Sequence, residues 1–247
     1  MNREFSNVYG DERRAGAYAD LEFPGTYYLA FRDLPELIGK HVKGPDALDF
    51  GCGTGRSSRF LKELGFGVIG IDIAEAMLGH ARERDPDGDY RLVPDGNLSP
   101  LNELRFDLVF SAFTFDNIPD AKKRTALLRD LGRLLKEEGR IINLVSAPEI
   151  YVNEWTSFST EDFPENKTAT SGDLVQIVML DVPDQRPVED IFWADADYRD
   201  QFENAALELL ETHHPLGKDS DPYTWASENR VSPWSIYVLR QEGRTGT

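Results

Sequence analysis

Two patterns alternate along residues 41–147 of this 247-residue chain. Short apolar runs are separated by stretches in which apolar residues return every third or fourth position. The runs are 47–50, 67–72, 90–93, 106–111 and 139–145, read as five buried strands. Between them, Phe60, Leu61 and Leu64, then Ala74, Met77, Leu78 and Ala81, then Leu127, Leu128, Leu131, Leu134 and Leu135 mark the inward faces of three helices. Strand and helix in alternation require parallel neighbours joined by right-handed crossovers, hence a doubly wound α/β sheet with helices on both faces. From residue 148 the rhythm changes. Residues 151–172 have no period, and 174–180 and 188–193 read as a hairpin around a turn-rich loop. A helix over 195–206, a sixth strand from 207 and an antiparallel last strand over 234–239 complete a seven-stranded sheet. Before the first strand, residues 5–40 read as helical and aromatic-rich, interrupted by Pro24-Gly25 and Pro35. One domain is expected over 1–247: an N-terminal lid segment (1–40), a ligand-binding core (41–147), an insertion on the sheet's carboxyl edge (148–194) and a return to the core sheet (195–247).

Composition narrows the picture. No apolar run reaches the roughly 20 residues of a membrane span. The polar, charged opening lacks the apolar core of a secretion signal. A single cysteine, Cys52, fits a reducing compartment and reads as a small packing residue, and the cytoplasm is the expected location. Forty-four acids against 27 bases give a net charge of −17, which disfavours nucleic-acid substrates. The basic run Lys122-Lys123-Arg124 with Arg129 and Arg133 alternates with leucines at helical spacing, so it reads as a solvated helix face. No metal cluster is expected.

The chemistry concentrates where the first strand ends. Asp49-Phe50-Gly51-Cys52-Gly53-Thr54-Gly55 puts an acid and a glycine-rich turn at a strand-to-helix corner, where a ligand can approach bare backbone. Asp49, Asp72 and Asp95 follow one another 23 positions apart, each at or after the carboxyl end of a strand, which is the edge where such sheets bind ligands. A nicotinamide dinucleotide site would need Gly-x-Gly-x-x-Gly, and Arg56 stands where the last glycine belongs. An acid two residues before the turn also disfavours a pyrophosphate and suits a cationic amino group. An adenosine bearing a positive charge is the better ligand.

These residues resemble the first motif of the class I S-adenosylmethionine-dependent methyltransferases. Ile71-Asp72-Ile73-Ala74-Glu75-Ala76-Met77-Leu78 resembles the family's ribose-binding segment. The strand 106–111 and the turn 134–141 resemble its fourth strand and the entry to its fifth. The resemblance implies S-adenosylmethionine as cofactor and S-adenosylhomocysteine as product. By position, Gly51 and Gly53 would back the methionine moiety and Asp49 would lie near its ammonium. Asp72 would hold the ribose hydroxyls, Ile73 and Met77 would sandwich the adenine, and Asp95 with Gly96 would meet its amino edge. Ser111 would contribute backbone groups near the methionine end. The implied activity is methyl transfer to a nitrogen or oxygen of a small molecule. A catalytically inactive binder of the cofactor, acting as a regulator or partner subunit, is the alternative, and a nicotinamide oxidoreductase comes third. Asp116, His213 and His214 are the candidate proton acceptors, with Glu154 beside them in the insertion. Tyr27, Tyr28, Asn117, Tyr151 and Trp155, with Phe158, are the candidate acceptor contacts, and the N-terminal segment and the insertion are expected to form a two-sided lid. Neither the acceptor nor the oligomeric state is legible.

Overall fold

The computed structural model describes residues 23–243. Strands β1 (Asp46–Phe50), β2 (Gly67–Asp72), β3 (Asp89–Leu92), β4 (Phe106–Ala112), β5 (Leu135–Ser146), β9 (Leu207–His213) and β10 (Trp234–Gln241) form one sheet in the order β3-β2-β1-β4-β5-β10-β9. The first five run parallel, and β10 is antiparallel to both of its neighbours. This is the seven-stranded, doubly wound sheet expected, and its strand order reverses between β1 and β4. The inserted unit is larger than a hairpin. β6 (Phe158–Ser159), β7 (Leu174–Met179) and β8 (Val188–Ile191) make a separate three-stranded antiparallel sheet. The two residues of β6 are too few to carry a periodic signal.

Two apolar layers cover the sheet. On one face Phe110, Ile142 and Ile236 meet α1 (Thr26–Arg32), α2 (Leu34–His41) and the insertion, through Leu29, Leu34, Trp155 and Val175. On the other, Val109, Ile141 and Tyr237 meet α5 (Ala121–Arg133) and α6 (Asp195–Asn204), through Leu128, Leu131 and Phe202. Buried on both sides, the central strands are continuously apolar instead of alternating. α3 (Arg56–Glu63) and α4 (Glu75–Arg84) flank β1 and β2.

Three local expectations are corrected. β5 begins at Leu135, because the pairing of β4 with β5 shifts between Phe106 and Leu108 and takes up the extra residues. Pro35 opens α2 in its first turn instead of only interrupting a helix, since a proline lacks just the N–H that a first turn leaves unused. Arg124 does not lie on a solvated face. It is fully buried, with its guanidinium over the rings of Trp193 and Tyr198 at 4.5 and 4.6 Å. Of the N-terminal lid segment, residues 1–22 lie outside the described residues.

Candidate functional site

The β1-to-α3 corner is clipped to β2, because the amides of Gly51 and Cys52 both donate to the carbonyl of Ile71, at 2.8 and 3.0 Å. Gly51 has φ 73°, and a Cβ there would stand 2.1 Å from Thr114 Oγ1, so any larger residue would strike the loop after β4. Gly53, at φ 54°, turns its N–H toward Asp72 Oδ2 at 2.9 Å. Asp72 Oδ1 accepts from the amide of Ala74 at 2.8 Å, which fixes the carboxylate at the mouth. Burial pushes the Asp72 carboxyl above its ordinary range, against the hydrogen bonds from Ala74 and Gly53.

A cavity of about 400 Å³ opens over this corner, at the carboxyl ends of β1, β2 and β4. Of the sequence candidates, Gly51, Gly53, Asp72, Ile73, Met77, Gly96 and Asn117 line it. Ile73 keeps 51% of its surface exposed at the rim, whereas Met77 is buried at 4%, so the two offer apolar contacts at different depths. Asp95 lies in the 3₁₀ turn Pro94–Gly96 that carries Gly96 to the wall.

The other candidates are held elsewhere. Asp49 is sealed beneath the turn, where its Oδ2 accepts from Ser57 Oγ at 2.7 Å and Ser58 Oγ at 2.6 Å. Its Oδ1 has no partner among the described residues, and burial pushes the carboxyl up to about 6, with the charge of Asp72 adding to the effect. The Ser111 side chain, on β4, is fully buried and does not line the cavity. Asp116 accepts from the Ser146 amide at 3.0 Å and the Tyr198 hydroxyl at 3.2 Å, beside Arg124, and does not face the cavity. His213 Nε2 sits 2.8 Å from Asp33 Oδ2, and His214 Nδ1 sits 3.3 Å from the Trp234 carbonyl.

The insertion contributes no lining residue to this cavity. Tyr151 donates to Asp190 Oδ2 at 3.2 Å, the Trp155 indole donates to the Ile150 carbonyl, and Glu154 accepts from the amide and hydroxyl of Thr160. Phe158 is core, edge-on to Tyr27 and Trp234. Tyr27 packs behind the wall, and Tyr28 faces Tyr223 and Trp225. Of the expected two-sided lid, the insertion half lines no part of this cavity. α1 supplies a wall residue, Phe31, and the insertion holds α1 in place. The fastening is a buried carboxylate, Glu228, which accepts from Thr26 Oγ1 at 2.6 Å and from the amides of Thr156, Ala226 and Ser227 at 2.8, 2.9 and 3.0 Å. Thr26 and Ser157 complete the joint, each amide donating to the other's hydroxyl oxygen.

Phe31, Arg56, Phe113, Thr114 and Lys123 line the cavity without having been named as site residues, and Lys123 stood in the run read as a solvated helix face. Arg56 lies within 5.0 to 5.6 Å of the rings of Phe23, Tyr27 and Phe31. Its place directly after the glycine turn was a usable signal. Phe113 and Thr114 follow a strand end and gave none.

The residues present suit an adenosyl sulfonium. A glycine pair leaves room where a Cβ would collide, a carboxylate stands at the end of β2, and a buried acid with an unpartnered oxygen lies below the turn. A family profile described as "Methyltransferase domain" matches residues 48–143. N-demethylindolmycin N-methyltransferase of Streptomyces griseus is 26% identical over 222 residues, covering 89% of this chain and 92% of that protein. An uncharacterized methyltransferase of Geobacillus sp. (strain WCH70) is 35% identical over 149 residues, 58% of this chain and 67% of that protein. Among solved structures, the CcbJ methyltransferase from Streptomyces caelestis superposes with a TM-score of 0.67 at 20% identity, over 96% of this chain and 98% of that one, a likeness of fold. The chain belongs to the class I S-adenosylmethionine-dependent methyltransferases. It is an S-adenosylmethionine-dependent methyltransferase. No helix among the described residues is long and apolar enough to cross a membrane.

Proposed function

We propose that the enzyme methylates a nitrogen of a small-molecule acceptor. The observation that carries this reading is the continuity of the cavity. Asp72 and Ile73 lie on the same wall system as Gly51, and that system continues to Phe31, Phe113 and Asn117, so donor and acceptor would share one enclosed space. When bound, the cofactor supplies a sulfonium methyl that needs no further activation. In such a transfer the acceptor's lone pair would take the methyl as its bond to sulfur breaks, the electron pair would stay on sulfur, and the proton of the resulting ammonium would pass to solvent. The protein's part is placement and exclusion of water. For the donor we assign Gly51 and Gly53 to the methionine moiety, Asp72 to the ribose, Ile73 and Met77 to the adenine faces, and the turn Asp95-Gly96 to its edge. Asp49 acts from below the turn.

A hydroxyl acceptor would need its proton removed. Asp116, His213 and His214 are engaged away from the cavity, which favours an amine. The N-methyltransferase relative of nearly equal length supports the same choice. Calorimetry with S-adenosylhomocysteine, followed by mass-spectrometric turnover across matched amines, alcohols and phenols, tests it. Methylation of amines is expected. Turnover of the hydroxyl compounds alone would sink the nitrogen assignment, and cofactor binding without any turnover would favour the inactive binder.

A further inference from the structure

α1 and α3 meet through a side chain that belongs to both. Arg56 is the first residue of α3 and follows Gly55, which closes the glycine turn at φ 78°. Its backbone is therefore part of the corner. Its side chain leaves the corner and is buried, with the guanidinium carbon 5.3, 5.0 and 5.6 Å from the ring centroids of Phe23, Tyr27 and Phe31. Phe60, one turn further along α3, stands edge-on to Phe31 at 5.2 Å and to Phe23 at 6.0 Å. Tyr27 and Phe31 are four positions apart on α1, so both belong to the face of that helix turned toward α3.

Two of these rings bear on the cavity. Phe31 lines it, and Tyr27 stands edge-on at 5.7 Å to Phe113, which lines it too. The ties at the two ends of α1 lead away from the glycine turn, since Thr26 is bonded to Glu228 and Ser157, and Arg32 to Asp33 and Asp221. Arg56 spans the gap between the turn and the body of α1. A guanidinium suits that place. It is planar and weakly hydrated, and out of water it is drawn to the negative faces of aromatic rings. A lysine would bring a compact, strongly hydrated point charge, and a methionine would fill part of the space with no charge at all.

We infer that Arg56 is a positioning residue that sets the separation between the glycine turn and the Phe31 wall, and so decides how bulky an acceptor the enzyme takes, without being a ligand of the cofactor. The turn fixes where the side chain starts and the ring cluster fixes where it ends, so the reach of one arginine gauges the cavity there. The inference rests on the reading of the Phe31 end as the acceptor's part of the cavity. It does not depend on whether nitrogen or oxygen receives the methyl group.

Arg56→Met and Arg56→Lys test it on the full chain, with phenethylamine, the bulkier naphthylethylamine and the two corresponding alcohols as probes. In Arg56→Met the ratio of kcat/KM for the naphthyl compound to that for the phenyl compound should rise about fivefold or more, with Arg56→Lys between it and wild type. A general loss of folded or active enzyme cancels in that ratio. S-adenosylhomocysteine binding by calorimetry should stay within about threefold of wild type in both variants. Hydrogen exchange of residues 26–32, in enzyme saturated with S-adenosylhomocysteine, should quicken about tenfold or more in Arg56→Met. Exchange and ratio that both match wild type would overturn the inference alone. Exchange that quickens while the ratio stays fixed would show that the Phe31 end does not receive the acceptor, and that reading would fall together with the inference. A larger loss of S-adenosylhomocysteine affinity would also overturn the inference, because Arg56 would then hold the cofactor itself. Should the wild type methylate none of the four probes, exchange and affinity decide by themselves. Should Arg56→Met not fold, the same criteria apply to Arg56→Lys.

Discussion

The part of the cavity that we assign to the donor and the part that we assign to the acceptor are built on different length scales. Around the glycine corner the joining contacts are short in sequence. Ser57 and Ser58 reach Asp49 across eight and nine positions, and Gly53 reaches Asp72 across 19. On the acceptor side, Thr26 meets Ser157 across 131 positions and Glu228 across 202, and the Trp234 indole donates to the Thr26 carbonyl across 208. One strand-turn-helix-strand unit therefore builds the proposed donor part. In the proposed acceptor part, Phe31 stands on an N-terminal helix that the insertion and a C-terminal loop fasten at Thr26.

Substitutions that fall on one side only separate the halves, and the largest effect belongs to the corner. Gly51→Val forces a side chain into Thr114 at a φ that valine does not tolerate. S-adenosylhomocysteine binding by calorimetry should weaken at least ~100-fold, about 2.7 kcal/mol, with turnover lost alongside it. Binding within a few-fold of wild type would mean that the loop after β4 yields.

Glu228→Gln strikes the other half. The neutral amide keeps the shape but places an N–H where four donors converge, so about 2 kcal/mol of unfolding free energy should be lost. Denaturant titration reads that loss. At temperatures where the variant stays folded, amine KM should rise while S-adenosylhomocysteine affinity holds. An affinity that falls in parallel would show that α1 is not a separate unit.

The joint between the site loop and the insertion has a pH signature. Burial raises the carboxyls of both Asp116 and Asp190, and the charge of Asp116 adds to the shift of Asp190, while Tyr151 opposes the shift of Asp190 and the Ser146 amide, Arg124 and Tyr198 oppose that of Asp116. A carboxyl raised in the folded state binds its proton more tightly there than in the unfolded chain. The stability it contributes is thus complete below about pH 4 and is lost as pH rises through the folded values, across neutrality. Asp190→Asn should flatten that decline by about 1 kcal/mol between pH 6 and roughly 8.5, read as the midpoint of thermal unfolding at several pH values. An unchanged slope would mean that the pair ionises without disturbing the joint.

The smallest effect is expected at the rim. Ile73→Ser removes an apolar side chain that is already half exposed, so cofactor affinity should fall only about three- to tenfold by calorimetry, with amine KM unmoved.

What the chain declared in advance follows the same division. Asp49, the glycines, Asp72 and Met77 lie within 29 positions and carried the resemblance to the family and its cofactor, and Gly51, Gly53, Asp72 and Met77 line the cavity. Local periodicity likewise placed the strands of the main sheet, because strands buried on both faces are continuously apolar. Tertiary structure decided the rest. The sequence could not tell that Arg124 is buried under two aromatic rings, because its helical position looks the same whether α6 covers it or water does. It could not tell that Tyr151 and Trp155 are core residues of the insertion while Phe31 is cavity wall, because an aromatic side chain suits either place. Nor could it distinguish Asp116 from Asn117, adjacent in the chain, one turned into a buried joint and the other onto the cavity. Contacts such as Arg124 with Gln201 across 77 positions, Asp116 with Tyr198 across 82 and Tyr151 with Asp190 across 39 settle these choices, and no local pattern of residue types encodes them.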